Sequence, residues 1–487
     1  MNRLFWLFLT LLVATAYHRS EHFDDAWFAE QAYWLVRDGR VRSEFFRGLN
    51  GWEKQLFVFH KGFIYFGAAL QGLLGFSLPV GKAVGAFWTV VGGLAIWWQV
   101  RWLGLATRWV YLALLVYVAN GMLIEYAFVN RPEPMYATLG FISFLLLVRG
   151  RTAGAGLLAG LAVLTHLNGL CFVLAGLGWL GWQQRGNALR PALRFGLTAA
   201  VGSSLYLADA LRANQLPMLW AQFTNDPATS HMTTLFDKLL ISSKLHELLF
   251  HSEEEATMSA LVVGVLVLTY WPWPRTRPEQ VDGAAALAST GQYLLLLLLA
   301  FVLITKSNTD YYYLIFLPVI CIWITQCVAG WSATGTSPIV ARWRLYGLGL
   351  LLGVYLLTGA YKTIITMQSN RRQPDVVQKN ARLASLIQQP GTRIIAPLDF
   401  FYDQQEHYRI HGLSYYHLLN QKAYGGQMTV DQFFHLAEAD SAVAVISDYG
   451  RDFSYPIKKD APARVGHYRR VYQDEWNAVY IRKGIKN

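Results

Sequence analysis

The chain has 487 residues, of which 54% are hydrophobic and only 15% charged, with a formal net charge of +11. A soluble domain usually carries about 25% charged residues, and the deficit here comes from long apolar runs that a water-soluble surface would not carry. The positive charge sits largely in short loops between those runs, where membrane orientation accounts for it, and no basic stretch interleaved with aromatics makes a nucleic-acid groove.

Residues 1–17 carry one Arg and then run apolar; no small-x-small cleavage site there is convincing and many spans follow, so they predict an uncleaved first span. Further apolar runs fall at 80–100, 109–128, 134–149, 153–166, 167–184, 191–211, 256–273, 287–305, 309–328 and 343–361. A span takes about 20 apolar residues, and the pattern predicts a polytopic α-helical membrane protein of about eleven transmembrane helices. The segments from 153 to 184 are short, as two half-length helices or one long bent one. The three cysteines, Cys171, Cys321 and Cys327, all lie in apolar runs, which excludes a disulfide framework and a cysteine-based zinc site.

Every second short loop is basic, through Arg101 and Arg108, Arg149 and Arg151, Arg185 to Arg194, Arg275 and Arg277, then Arg342 and Arg344. Those loops are assigned to the cytoplasm, together with the N-terminus. Segments 19–79, 129–133, the corner near 166, 212–255, 306–310 and the tail from 362 are then exterior, on an inner (cell) membrane. The run 57–76 is long enough to cross, but a crossing would move every later basic loop outside. It is read as a helix in the exterior interface with Lys61 at its start. Residues 26–38 set Phe28, Ala32, Leu35 and Val36 at helical spacing, with Trp27 and Trp34 suited to the headgroup layer; they predict an amphipathic helix resting on the membrane.

From about 371 the composition turns soluble. Residues 393–399 and 441–449 read as buried strands, 477–483 as an edge or final strand, and 429–440 as a helix capped by Thr429 or Asp431. The expected organisation is a transmembrane module over 1–361 and an extracytoplasmic α/β domain over 371–487. That domain has no glycine-rich phosphate loop, zinc spacing or nucleophile elbow. His407, His411 and His417 have metal-like spacing, but the carboxylate partner and the context of a metal site are missing.

The candidate chemistry lies in the exterior segments. Asp24 and Asp25 follow the first span; one can cap the next helix while the other takes a proton from an acceptor hydroxyl. Arg131 and Glu133 sit in a corner stiffened by Pro132 and Pro134, where a local ion pair is the plainer alternative. His166 and Asn168 are polar groups inside an apolar stretch, facing either a cavity or a structural partner. Lys306 can neutralise a lipid phosphate or simply snorkel, and Asp310, Tyr311 and Tyr312 follow it. Lys61 with His60 forms a further site; Lys244, His246 and His251 form a weaker one. Carboxylates and cations gathered at headgroup depth suit a reaction between a lipid phosphate and a polar acceptor. The leaving phosphate is already acidic and needs no general acid, so cations must offset its charge while one carboxylate deprotonates the acceptor.

At these residues the sequence resembles the GT-C superfamily of polyprenyl-phosphate-dependent glycosyltransferases, nearest to its protein mannosyltransferase and aminoarabinose transferase branch. DDAWFAEQAYWLVRDG (24–39) looks like the family's acidic first loop, FHKGFIYF (59–66) like its Lys-containing stretch, NRPEP (130–134) like an acidic corner, and KSNTDYYYLIFLP (306–318) like its late aromatic loop. LTHLNGL (164–170) stands where relatives often show Thr-Lys-Gly. The resemblance runs in order over about the first 330 residues and implies a GT-C-like fold. It implies Asp24 as catalytic base with Asp25 assisting the acceptor or a metal. Lys61, Arg131, His166 and Lys306 would hold the donor phosphate, and Glu133, Asn168, Asp310 and Tyr312 would orient the acceptor. The implied partners are a polyprenyl-phosphate sugar donor, a lipid, glycan or protein acceptor, and membrane lipids. The candidate cofactor is a divalent metal (Mg or Mn). Departures are Asp25 in place of Glu, Gly after Lys61 in place of Pro, and His166 in place of Lys. A transporter or flippase would need ionisable residues through the middle of several spans, which are scarce here. A non-catalytic envelope assembly protein is the other alternative.

Overall fold

The computed structural model describes residues 1–17, 19–184, 186–225, 249–271, 284–305, 309–333, 338–387, 389–451 and 453–483. The first part is helical: α1 (Asn2–Ala14), α2 (Phe23–Asp38), α3 (Lys61–Leu74), α4 (Leu78–Trp102), α5 (Thr107–Val118), α6 (Gly121–Tyr126), α7 (Glu133–Val148) and α8 (Thr152–Thr165). There follow α9 (Leu170–Gln183), α10 (Leu189–Ser204), α11 (Ala208–Arg212), α12 (Leu216–Thr224), α13 (Glu253–Tyr270), α14 (Ala284–Ile304), α15 (Leu317–Ala333) and α16 (Pro338–Arg372).

Among the described residues, three helices are long and apolar enough to cross a membrane: α4, the stretch Ala286–Ile304 of α14, and the helix that begins at the start of α16. Five shorter apolar helices accompany them, at Asn2–Ala14, Thr107–Val118, Glu133–Val148, Thr152–Thr165 and Leu317–Trp331. Several apolar runs are therefore broken by polar caps. The run 109–128 divides at Asn120, whose side chain accepts the Leu123 N–H at 3.0 Å and starts α6. The stretch 153–184 forms two helices, separated by extended His166 (φ −153°, ψ 134°) and a 3-10 turn over Leu167–Gly169.

Small residues set the closest helix contact. A Cβ on Gly156 would lie 2.2 Å from the Phe195 carbonyl, and one on Gly160 would lie 2.3 Å from the Ala199 carbonyl. Without side chains there, α8 and α10 bring their backbones together, as small-xxx-small stripes do in membrane bundles.

The amphipathic segment expected over 26–38 forms α2, but α2 does not rest on a surface. Its burial runs nearly all round, from Asp24 through Trp34. It is sandwiched between α3 and α4 on one side and the C-terminal domain on the other. The edge is set by rings: Phe401 meets Tyr33 at 5.4 Å, Phe45 at 5.2 Å and Phe76 at 5.6 Å. Glu30, fully buried, accepts from Ser43 Oγ at 2.7 Å, the Glu44 N–H at 2.6 Å and Trp34 Nε1 at 3.2 Å, which pins the following loop to α2. Trp34 is likewise buried beneath the Arg42 guanidinium, 3.5 Å above its ring, rather than in a headgroup layer.

α16 has 35 residues, roughly 52 Å of helix, well beyond a hydrocarbon core of about 30 Å. Its last turn reaches the end of the bundle that carries the C-terminal domain. There Asn370 accepts from Ser20 Oγ at 3.0 Å and donates to the Thr15 carbonyl at 3.1 Å. Next come α17 (Val376–Ser385), β1 (Arg393–Ala396), α18 (Phe401–Gln404), β2 (Arg409–Gly412), α19 (Leu413–Tyr424), α20 (Val430–Ala439), β3 (Ala444–Ser447), β4 (Arg464–Val465), β5 (Tyr468–Gln473) and β6 (Ala478–Arg482). The sheet order is β2-β1-β3-β6-β5-β4. β1 is parallel to both neighbours and pairs Ile394 with Ile410 and Ala444; the other half is antiparallel. β1, β3 and β6 fall where apolar runs predict strands. β2, β4 and β5 are additional; β5 has one buried residue, Tyr468, and then alternates exposed and half-buried positions on a polar background. Thr429 caps α20 in a capping box with Gln432. A buried ionic knot ties this domain to the bundle: the Lys379 ammonium pairs with Asp399 and lies 3.4 Å from Glu21.

Candidate active site

The start of α2 separates two adjacent carboxylates. His22 is the N-cap; its Nδ1 accepts the Asp24 N–H at 3.3 Å, while its own N–H donates to Asp25 Oδ2 at 2.8 Å. Asp25 thus closes a capping box. It is fully buried, takes the Lys82 ammonium at 2.7 Å and accepts the Asn130 N–H on Oδ1 at 2.6 Å. Lys82 also donates to the Ser20 carbonyl at 2.8 Å. One carboxylate therefore fastens α2, α4 and the corner before α7 to one another.

Asp24 is left to face the other way. Its carboxylate pairs with the Arg131 guanidinium, which also grips Glu133 with two bonds, Nε to Oε2 at 3.0 Å and Nη2 to Oε1 at 3.2 Å. Pro132 and Pro134 hold both residues on one rigid entry into α7. The guanidinium lies 3.7 Å over the Tyr311 ring. Two carboxylates share one cation in a buried setting. Burial pushes the Asp24 carboxyl up to about 6, against the pull of Arg131. Burial, with Arg131 adding to it, brings His22 down to about 4.

A column of rings adjoins this group. His166 stacks on His60 at 4.5 Å and on Tyr136 at 4.9 Å, and it meets Tyr312 edge-on at 5.6 Å. His166 Nδ1 accepts the Asn168 N–H at 3.0 Å, so a neutral ring carries its proton on Nε2. Burial, then Arg131, lowers His166 to about 3. At neutral pH this residue offers a hydrogen-bond donor and no positive charge. The Asn168 backbone, rather than its side chain, makes that contact. The hydroxyl of Tyr136 is buried with no partner among the described residues.

Lys61 is fully buried and pairs with Asp209, 4.8 Å over the Tyr206 ring. No hydrogen bond joins it to Asp24, Arg131 or Glu133, and it enters the neighbourhood only through its chain neighbour His60. Lys306, Lys244 and His246 lie outside the described residues, as does the Asp310 side chain. His251 is exposed and belongs to none of these groups. His407, His411 and His417 do not converge. His411 pairs with Asp440, while His417 Nδ1 lies 3.0 Å from the Ser454 carbonyl.

The donor set around Asp25 does not fit a divalent metal. Its oxygens already accept from an ammonium and two N–H groups, and among the described residues no three His, Cys, Asp or Glu side chains gather as a metal would need. Beside Asp24 the place of a cation is taken by the Arg131 guanidinium.

Lys82, Glu30 and His22 are contributors that the sequence reading passed over. Lys82 had a visible signal, a single Lys inside an otherwise apolar run (78–100). Glu30 had none, since a Glu on a helix reads as a solvated face.

No family model matches the sequence, and no curated protein matches it. Among solved structures, the fold is similar to ArnT from Cupriavidus metallidurans bound to undecaprenyl phosphate, with a TM-score of 0.60 at 12% identity, covering 98% of this chain and 97% of that one. The apo state of the same protein gives 0.58 at 13% identity, covering 97% of each chain. The likeness spans both the helical bundle and the C-terminal domain, and it is a likeness of fold.

Proposed function

We propose that the chain is a membrane glycosyltransferase that moves a sugar from a polyprenyl-phosphate donor to a lipid, glycan or protein acceptor, with inversion at the anomeric carbon. The observation that carries this reading is the buried group Asp24–Arg131–Glu133. Asp24 is the base. A carboxyl raised to about 6 is mostly ionised at neutral pH, yet basic enough to accept a proton from a hydroxyl as it attacks. The acceptor oxygen bonds to the anomeric carbon, its proton passes to Asp24, and the bond from that carbon to the phosphate oxygen breaks. The departing polyprenyl phosphate keeps the electron pair.

Arg131 is the cation nearest the base. In the resting arrangement it is shared by two carboxylates. A donor phosphate entering beside Tyr311 competes for the guanidinium, loosens Asp24 and leaves Glu133 as the anchor that keeps Arg131 in place. Neutral His166 supplies an N–H from Nε2, a donor that costs no desolvated charge. A double displacement would need a second free carboxylate about 5–5.5 Å from the first; Glu133 is held bidentately, which favours a single displacement.

The likeness to ArnT supports this reading, since one of its structures is bound to undecaprenyl phosphate. In the same reading the site opens on the exterior face, with the C-terminal domain outside the cytoplasm. The test is transfer by the purified full-length protein from a panel of polyprenyl-phosphate sugars, followed as released polyprenyl phosphate, for wild type and Asp24→Asn. Release by the wild type with a loss of at least about 100-fold in the variant supports the assignment. Equal release by both would remove Asp24 from the reaction.

A further inference from the structure

Beside Lys82, a cavity of about 760 Å³ opens between the end of α1, the start of α4 and the end of α16, and Arg131 is not in its lining. Its polar wall holds Arg19, Lys82, Asn370 and Arg371; its apolar wall holds Ala14, Leu78, Ala83, Ala86 and Met367. The polar groups are not equivalent. Lys82 spends its ammonium on Asp25 and the Ser20 carbonyl, and Asn370 is occupied by Ser20 and Thr15. Arg371 is exposed at the rim. Asp375, the carboxylate in the lining, caps α17 through the Gln378 N–H at 3.0 Å.

Arg19 is different. Its Nη2 donates to the main-chain carbonyls of Ile124 and Glu125, which fixes the guanidinium, and the Glu125 and Asp25 carboxylates act on its charge from nearby. Its Nη1 is buried and has no partner among the described residues. A buried guanidinium nitrogen left unmatched calls for an acceptor. Below these groups the lining is small and apolar, as the upper part of an alkyl chain requires, and the flanking helices α1 and α4 are both apolar.

We infer that this cavity binds the phosphate headgroup of an anionic lipid, with the phosphate against the Arg19 guanidinium and the chains along Ala83, Ala86 and Met367. The site is separate from Arg131 and does not depend on the reaction proposed above. Arg371 at the rim adds a second charge, so a lipid of net negative charge is preferred over a zwitterionic one carrying the same phosphodiester.

The experiment uses the full-length protein in a neutral detergent. Thermal unfolding and native mass spectrometry are recorded with dioleoyl phosphatidylglycerol, dioleoyl phosphatidylcholine or inorganic phosphate. The expected result is retention of phosphatidylglycerol, with a dose-dependent rise in Tm given by neither of the other two. Arg19→Gln weakens retention at least tenfold, and Ala86→Trp, which fills the apolar wall and leaves the Arg19 bonds to Ile124 and Glu125 in place, does the same. If Arg19→Gln does not fold, Ala86→Trp and Arg371→Gln decide. Equal retention of the two lipids, protection by inorganic phosphate equal to that by phosphatidylglycerol, or unchanged retention in the folded variants would overturn the inference.

Discussion

The pH dependence of transfer tests the role of Arg131 beside Asp24. With Asp24 as base at about 6, wild-type kcat/KM falls below that pH and is about one-tenth of its plateau near pH 5. Arg131 opposes the burial that raises this carboxyl, so Arg131→Gln must move the acid limb upward. Unit charges about 4 Å apart interact by about 4 kcal/mol at an effective dielectric of about 20, close to 3 pH units. Glu133, stripped of its partner, pushes the same way. The limb should therefore appear about 1–3 units higher, while Arg131→Lys, which keeps the charge, should leave it within about one unit. The assay is released polyprenyl phosphate from pH 4.5 to 9.5, with folding checked at each end. An acid limb for Arg131→Gln at or below that of the wild type would refute the electrostatic account of this site.

Three further outcomes follow from packing and charge. Burial raises Glu30 from an ordinary 4.5 to about 7, so it is held more tightly protonated when folded; its contribution is full below pH 4.5 and is lost as pH rises through 7. Glu30→Gln can keep the Ser43, Glu44 and Trp34 bonds and removes the charge, so at pH 8.5 it should unfold later than wild type, by up to roughly 3 kcal/mol, and match it near pH 4.5; Tm against pH for the two proteins decides. Lys82→Met strands a buried carboxylate and should cost about 3–5 kcal/mol, and adding Asp25→Asn should restore much of it, as a double-mutant cycle in thermal unfolding would register. Gly160→Val drives side-chain atoms into the Ala199 carbonyl and should lower Tm, by about 1–3 kcal/mol or more of stability. Gly181→Ala, where a Cβ meets nothing within 4 Å, should not.

Local signals reached different depths in this molecule. Apolar runs locate the helices because burial in either lipid or protein demands the same composition, and for that reason they do not reveal where a run is cut. Asn120 and His166 make those cuts by hydrogen-bonding to backbone N–H groups, an event of one residue inside a run of many. The paired Asp24 and Asp25 are conspicuous; in the structure Asp25 closes the capping box behind His22 and Asp24 pairs with Arg131. Which is which depends on Lys82 and Asn130, contacts from 57 and 105 residues away. Arg131 and Glu133 read as a local pair, and they are one; the third member, Asp24, is 107 residues distant from Arg131. His166 reads as a stand-in for a phosphate-binding Lys, whereas burial, then Arg131, lowers it away from the charged form. The strands β1, β3 and β6 are continuous hydrophobic segments buried on both faces. β2 and β5 carry Arg, His and Gln and show their character only once paired.

The knot of Glu21, Lys379 and Asp399 bears on how the protein can be dissected. Glu21 lies on the same stretch of backbone as His22 and Asp24, just ahead of the first turn of α2. A chain cut after α16 would lose Lys379 and leave that acid without its counter-ion in a dry crevice, and it would strip Phe401 from the rings of Tyr33 and Phe45. The C-terminal domain is therefore a buttress for the turn that carries Asp24 and Asp25, and functional work on a trimmed bundle would report on a displaced Asp24.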